Sequence, residues 1–189
     1  MSDKTTPDSG AGPHIREVPD GDNVERLVCP DCGHIQYDNP KIVVGSVASW
    51  QGRILLCRRN INPRKGFWTI PAGYLELKET PLEGAKREAM EEANATLDID
   101  RPLAIYAIPR ISQVQLIYRA ELVGGKHRPG PESQETVLFD WDDLPWGDFA
   151  FPSVRWALTQ HRSVIGRFDF APFTNPENET GDFDGSAPI

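Results

Sequence analysis

Residues 73–95 read GYLELKETPLEGAKREAMEEANA, and the second half of that stretch decides how the chain is organised. Arg87 to Ala95, REAMEEANA, sets Glu88, Glu91 and Glu92 beside an arginine. Helix signals precede it. Thr80 takes the cap position, Pro81 the first helical position and Glu83 the third after the cap, which is the reciprocal pattern of a capping box. Leu82, Ala85, Ala89 and Ala93 recur at helical spacing as an apolar stripe, and Asn94 suits the left-handed residue that ends a helix. These signals predict a helix over residues 81–93. On it Glu88, Glu91 and Glu92 stand at i, i+3 and i+4, so their side chains converge beside the buried stripe. Each close pair of like charges costs about a few tenths of a kcal/mol on an isolated helix. Most charged helix faces are simply solvated, and acid is plentiful in a chain of net charge −8. The spacing, more than the amount of acid, points to a compensating cation. Hard carboxylate oxygens select Mg²⁺ or Mn²⁺, ions that serve phosphate chemistry.

Outward from the helix, Lys41 to Asn60 (KIVVGSVASWQGRILLCRRN) holds two β-rich runs about Gln51 and Gly52, the pattern of a hairpin. FWTIPAG reads as a third short strand. Beyond the helix, LAIYAIP, VQLIYRAELV and TVLFDW read as strands, and FPSVRWALTQHR as a second helix led by Pro152 and Ser153. Strands on both sides of a central helix predict an α/β fold in which helices sandwich a mixed sheet.

The chain has 189 residues, 39% of them hydrophobic and 25% charged, which suits one globular domain with a sizeable core. The first two dozen residues are polar, with no apolar leader and no cleavage pattern. No apolar run approaches the roughly 20 residues of a membrane helix, and the acidic balance argues against a general nucleic-acid or anionic-membrane surface. A cytoplasmic protein with no membrane or nucleic-acid partner is expected; a homodimer is left open. TNPENETGDFDGSAPI at the end has little to bury and reads as a frayed tail. The expected divisions are a flexible segment 1–22, a ribbon-like segment 23–40, a main globular domain 41–170 and a flexible acidic tail 171–189.

Gly73 precedes Glu79 by six positions and Glu79 precedes Arg87 by eight, giving G-x5-E-x7-R-E-A-x-E-E-x-N-A. This resembles the Nudix box. From average residue usage, the chance of the six fixed charged or glycine positions matching is on the order of 10⁻⁷ per start. The family's usual glycine after the acids is Asn94 here, and Asn also tolerates left-handed geometry. CPDCG, YDNPKIVVG, LLCRRN, WTIPAGYLE and PGPES extend the resemblance over roughly residues 14–165. They are similar to a zinc-ribbon-bearing Nudix group that includes flavin dinucleotide pyrophosphatases. The resemblance implies a Nudix α/β/α sandwich, preceded by a short residual zinc-ribbon-like segment, and hydrolysis of a nucleoside diphosphate linked to another group. FAD and ADP-ribose are the leading small-molecule substrates. It also implies metal ligands at Glu88, Glu91, Glu92 and the Gly73 carbonyl, with Glu79 as accessory ligand or brace; Glu91 is counted among the catalytic residues, as is Arg87, which the charge cluster places as a brace.

Nudix enzymes often take a general base from a later loop, and Glu132 in PGPESQE is the first choice, with Glu135 able to replace it; either can also be a plain loop acid. Trp68 and Tyr74 are placed to stack on a purine or isoalloxazine ring, or to serve as core. Arg58 and Arg59 follow a strand and are either phosphate ligands or solvated arginines. Cys29-Pro-Asp-Cys32 has zinc-knuckle spacing, but a closed zinc site needs four ligands, and residues 7–10, where related sequences carry the second pair, read PDSG. His14 and His34 are formal alternatives; Cys57 reads as a buried small hydrophobe. Zn²⁺ is therefore an open question. Two rival readings stand beside the FAD or ADP-ribose hydrolase. One is an NADH pyrophosphatase, whose SQPWPFPxS signature has no counterpart in ISQVQLIYRAEL. The other is an inactive nucleotide-sensing or nucleic-acid-binding Nudix scaffold, which the intact acids disfavour.

Overall fold

The computed structural model describes residues 12–181. The chain falls into two compact units that divide between Asn39 and Pro40. The first contains a small antiparallel sheet in the order β1 (Ile15–Glu17), β2 (Arg26–Val28), β3 (Ile35–Gln36). Strand β1 lies inside the segment expected to be flexible up to residue 22. Its three residues are all exposed and carry no hydrophobic alternation, so the sequence pattern does not announce it. After β2 the chain turns tightly. The Gly33 amide donates to the Cys29 carbonyl and the Cys29 amide to the His34 carbonyl, both at 2.9 Å, with Gly33 at φ +71° where glycine is favoured. Residues 7–10, at the position of the expected second ligand pair, lie outside the described residues.

The second unit opens with the expected hairpin. Strands β4 (Lys41–Trp50) and β5 (Arg53–Arg59) are joined by Gln51 and Gly52, both at positive φ, as a two-residue hairpin turn requires. FWTIPAG becomes two strands rather than one. Strand β6 (Trp68–Thr69) pairs with β5 and β7 (Ala72–Tyr74) with β4. Pro71 lies between them and has no amide to continue a ladder. Helix α1 (Pro81–Ala93) has the boundaries its caps predict. The Glu83 amide donates to Thr80 Oγ1 at 3.3 Å, the Thr80 amide to Glu83 Oε2 at 2.8 Å, and Asn94 closes the helix at φ +45°. Leu82 does not belong to the buried stripe: it is 39% exposed, and the inward face is Ala85, Ala89 and Ala93 with Glu88 and Glu92.

Strand β8 (Leu97–Ile108) starts six residues before the apolar run that marks it, because LDIDRP alternates charge and proline into the ladder through two irregularities in register. Strands β9 (Gln113–Leu122) and β10 (Ser133–Phe139) follow, then helix α2 (Pro152–Ser163). The main path of the sheet runs β10-β5-β4-β9-β8, parallel only between β4 and β9 and therefore mixed, as expected. Helix α1 covers one face, closing Ala89 and Ala93 over Ala48, Leu55 and Cys57. Helix α2 covers the other, with Trp156 and Leu158 against Val47, Tyr106 and Ile117. The result is an α/β/α sandwich. The second unit continues past residue 170, where a tail is expected. Phe173 exchanges 2.8 Å backbone hydrogen bonds with Leu103 and Ile105, and the Asn175 amide brackets Ala107. Among the described residues no helix is long and apolar enough to cross a membrane.

Candidate functional site

A cavity of about 910 Å³ opens over the face of the sheet and reaches the acidic side of α1; Glu88, Glu91, Glu92, Arg87, Gly73 and Glu132 all line it. Helical spacing puts the three acids there, but in unequal surroundings. Glu88 and Glu92 are buried, 8% and 5% exposed, whereas the Glu91 carboxylate stands in solvent. Burial penalises the charged form. It raises the Glu88 carboxyl, and it pushes Glu92 up to about 8, although the Ala72 amide donates to Glu92 Oε2 at 3.0 Å.

Arg87 is the brace the sequence suggests. Its guanidinium donates to Glu79 Oε1 at 2.7 Å and Oε2 at 3.0 Å, to Glu88 Oε1 at 2.7 Å, to Glu91 Oε2 at 2.9 Å and to the Tyr74 carbonyl at 3.0 Å. That bidentate grip holds the Glu79 carboxyl down at about 2. Glu79 also accepts from the Glu76 amide at 2.7 Å, fixing the loop between β7 and α1.

Among the described residues no three acidic, histidine or cysteine side chains form a ready metal cluster; Arg87 stands between Glu88 and Glu91. The donor set nevertheless fits a hard divalent cation. All its atoms are oxygens. The Glu88 carboxylate also lies so close to Gly73 that a Cβ there would sit 2.5 Å from it, so this carboxylate and the Gly73 backbone share one cradle. Glu92, buried with its charge disfavoured, would gain most from a cation's field.

The loop after β9 brings Glu132 to the same cavity. Gly130 donates to the Glu92 carbonyl and Arg128 to the Ala93 carbonyl, both at 2.9 Å, so the loop is tied to the C-terminal turn of α1. Only glycine fits at 130, because a Cβ would stand 1.7 Å from the Glu91 carbonyl oxygen. Glu132 interacts electrostatically with Glu88, Glu92 and Arg59. Glu135 does not share this place: it forms a 3.0 Å ion pair with Arg58, both side chains nearly half exposed and neither lining the cavity. Arg59 does line it, with its guanidinium 5.2 Å from the Phe151 ring centroid. Trp68 is also not among the lining residues; it packs edge-on against Phe139 at 4.9 Å, as core. Tyr74 stands at the cavity, half exposed, with Lys41 Nζ 5.3 Å from its ring centroid.

Comparison with known proteins agrees with this fold. Residues 40–157 match the NUDIX domain model. The chain belongs to the Nudix hydrolase family. Residues 11–38 match the zinc-ribbon model described as Nudix N-terminal. This Nudix hydrolase is 29% identical over 113 residues to an ADP-ribose pyrophosphatase of Methanocaldococcus jannaschii, covering 58% of this chain and 67% of that one. It is 33% identical over 119 residues to an NAD-capped RNA hydrolase NudC of Chromobacterium violaceum, covering 62% of this chain and only 44% of that one. Its fold superposes on a crystal structure of a NUDIX hydrolase from Nitrosomonas europaea with a TM-score of 0.80 and 40% identity, over 85% of this chain and 93% of the other.

In the first unit of the Nudix hydrolase Cys29 is buried and Cys32 exposed, and no third zinc ligand joins them among the described residues. Cys57 is a buried thiol under α1, raised by desolvation. Sequence reasoning passes over Gly130, whose signal is only a glycine between two prolines. It also passes over Gln113 and Gln115, amides two apart at the start of β9 that line the cavity.

Proposed function

We propose that the chain is a Mg²⁺- or Mn²⁺-dependent pyrophosphohydrolase of dinucleotide-type substrates, with FAD or ADP-ribose cut to AMP and a second monophosphate. The observation that carries this reading is the gathering of Glu88, Glu91, Glu92 and Glu132 at one cavity large enough for a nucleotide, with Arg87 bracing the acids. Glu88, Glu91, Glu92 and the Gly73 carbonyl would hold the cation, and Glu79 acts through Arg87. When bound, the cation neutralises charge on the phosphate oxygens and acidifies a water molecule. The chain's own groups do the rest. Arg59 faces the anion, and Glu132 accepts a proton from water as its oxygen attacks phosphorus and the bridging P–O bond breaks. The sequence marks no Ser, Cys or His nucleophile with a recognisable motif, so direct attack by water is expected. The similarity to relatives named ADP-ribose pyrophosphatase supports ADP-ribose, and that to relatives named NAD-capped RNA hydrolase makes an NAD-type dinucleotide the second substrate to try.

The test is a panel of FAD, ADP-ribose, NADH and nucleoside triphosphates incubated with and without Mg²⁺ and resolved by chromatography. Release of AMP from FAD or ADP-ribose, abolished by chelator, is the expected result. Faster release of pyrophosphate from a triphosphate, or nucleotide binding with no turnover, contradicts it.

A further inference from the structure

The end of the cavity away from the acids carries a pair of side chains that the hydrolytic chemistry does not use. Gln115 Nε2 donates to Gln113 Oε1 at 2.8 Å, and among the described residues the two side-chain amides bond only to each other. Both line the cavity, as do Ile61, Pro63, Ile108 and Ile111. Their place follows from sheet register. Gln115 pairs with Val43 on β4, and Val43 pairs with Tyr74 on β7, so the three side chains share one face. Two strand spacings, about 10 Å, separate Gln115 from Tyr74. The Tyr74 carbonyl accepts from Arg87 at 3.0 Å, so the guanidinium that braces the acids meets the sheet two strands from Gln115.

Amides in an apolar setting are costly unless their remaining donors and acceptors are met. Their mutual bond fixes what is left to offer: Gln113 presents its amide protons and Gln115 its carbonyl oxygen, side by side. That donor beside an acceptor is the complement of an adenine edge, where the N6 amine donates and a ring nitrogen accepts. The span of about 10 Å suits one nucleoside reaching from phosphates at the acids to a base at the glutamines.

We infer that Gln113 and Gln115 form the adenine-recognition subsite, reading the base edge while Ile108 and Ile111 supply apolar surface for the ring. This deepens the pyrophosphohydrolase reading and rests on it for the placing of the phosphates. The base end therefore selects adenine nucleotides irrespective of the group beyond the second phosphate, and the same subsite serves FAD and ADP-ribose.

The experiment is calorimetric titration of AMP into the full chain in chelator, so that binding is read without turnover. Parallel titrations use Gln113→Leu and Gln115→Leu, near-isosteric changes whose folding is checked by circular dichroism. A second readout is ¹⁵N correlation spectroscopy of the wild-type side-chain amides during the same titration. The expected result is AMP affinity weaker by about tenfold or more in each folded variant, together with AMP-dependent shifts of the Gln113 and Gln115 amide signals. Equal AMP affinity in wild type and both variants, no shift at either amide, or glutamine-dependent binding of FMN but not of AMP overturns the inference. Hydrolysis is assayed separately with Mg²⁺. Glutamine-dependent AMP binding by a chain that cuts no anhydride supports the subsite and tells against the reaction.

Discussion

Glu92 Oε2 accepts a hydrogen bond from the Ala72 amide at 3.0 Å, tying the last turn of α1 to strand β7. One carboxylate is thus held both by the backbone of the strand before Gly73 and by the helix that carries Glu88. The arrangement stores an acid in a place where burial disfavours its charge, which is affordable to the fold only because the amide meets one oxygen.

Glu92→Gln keeps the shape and an oxygen for the Ala72 amide, but removes the charge a hard cation needs. Turnover in limiting Mg²⁺ should fall roughly a hundredfold or more with the melting temperature little changed. Near wild-type turnover in the folded variant would remove Glu92 from the metal site.

Glu132 and Glu135 separate by location. Glu132→Gln should lower kcat on the order of a hundredfold, the scale of a lost general base. Glu135→Gln breaks only a surface pair with Arg58 and should stay within about twofold. Steady-state kinetics of the two variants decides it, and the reverse ranking would move the base to Glu135.

Gly130→Ala forces a methyl group into the Glu91 carbonyl and must push the loop off α1. A loss of about 1–3 kcal/mol in denaturant unfolding is expected, with turnover falling as Glu132 is displaced. An alanine variant with unchanged stability would show that the loop is not held there.

His161 predicts how stability depends on pH. The ring is buried on α2, its Nδ1 has no hydrogen-bond partner among the described residues, and burial and nearby Arg119 depress it to about 4. Above pH 6.5 both folded and unfolded chains hold it neutral and its contribution is intact. As pH falls toward 4 the unfolded chain takes up the proton first, so stability declines, by about 3 kcal/mol at most. Denaturant titrations between pH 7 and 4.5 should show that decline in the wild type and a shallower one in His161→Gln. Parallel curves would mean that other groups govern the acid limb.

Much of this was legible in residues 73–95, because helix caps and the i, i+3, i+4 acids act within a few residues of chain. Thr80, Glu83 and Asn94 do what their chemistry predicts. The choice between Glu132 and Glu135 was not legible. They are three apart around an irregularity in β10, and only pairing with Arg58 on β5, far away in sequence, turns Glu135 outward. Trp68 reads as stacking platform or, as strand aromatics more often are, as core, and the contact with Phe139 places it in the core. The docking of Phe173 and Asn175 on β8 escaped notice for a related reason, since polar, Pro-rich text hides backbone pairing that needs no side-chain pattern.

In the proposed reaction water attacks the anhydride of a dinucleotide at the carboxylate end of the cavity. Turnover of FAD and ADP-ribose with Mg²⁺ in ¹⁸O-labelled water, with mass spectrometry of both products, tests it most directly. The expected products are AMP with FMN or ribose 5-phosphate, with one labelled oxygen per turnover in one of the two monophosphates. Label in neither monophosphate, or release of inorganic pyrophosphate in place of AMP, would contradict it.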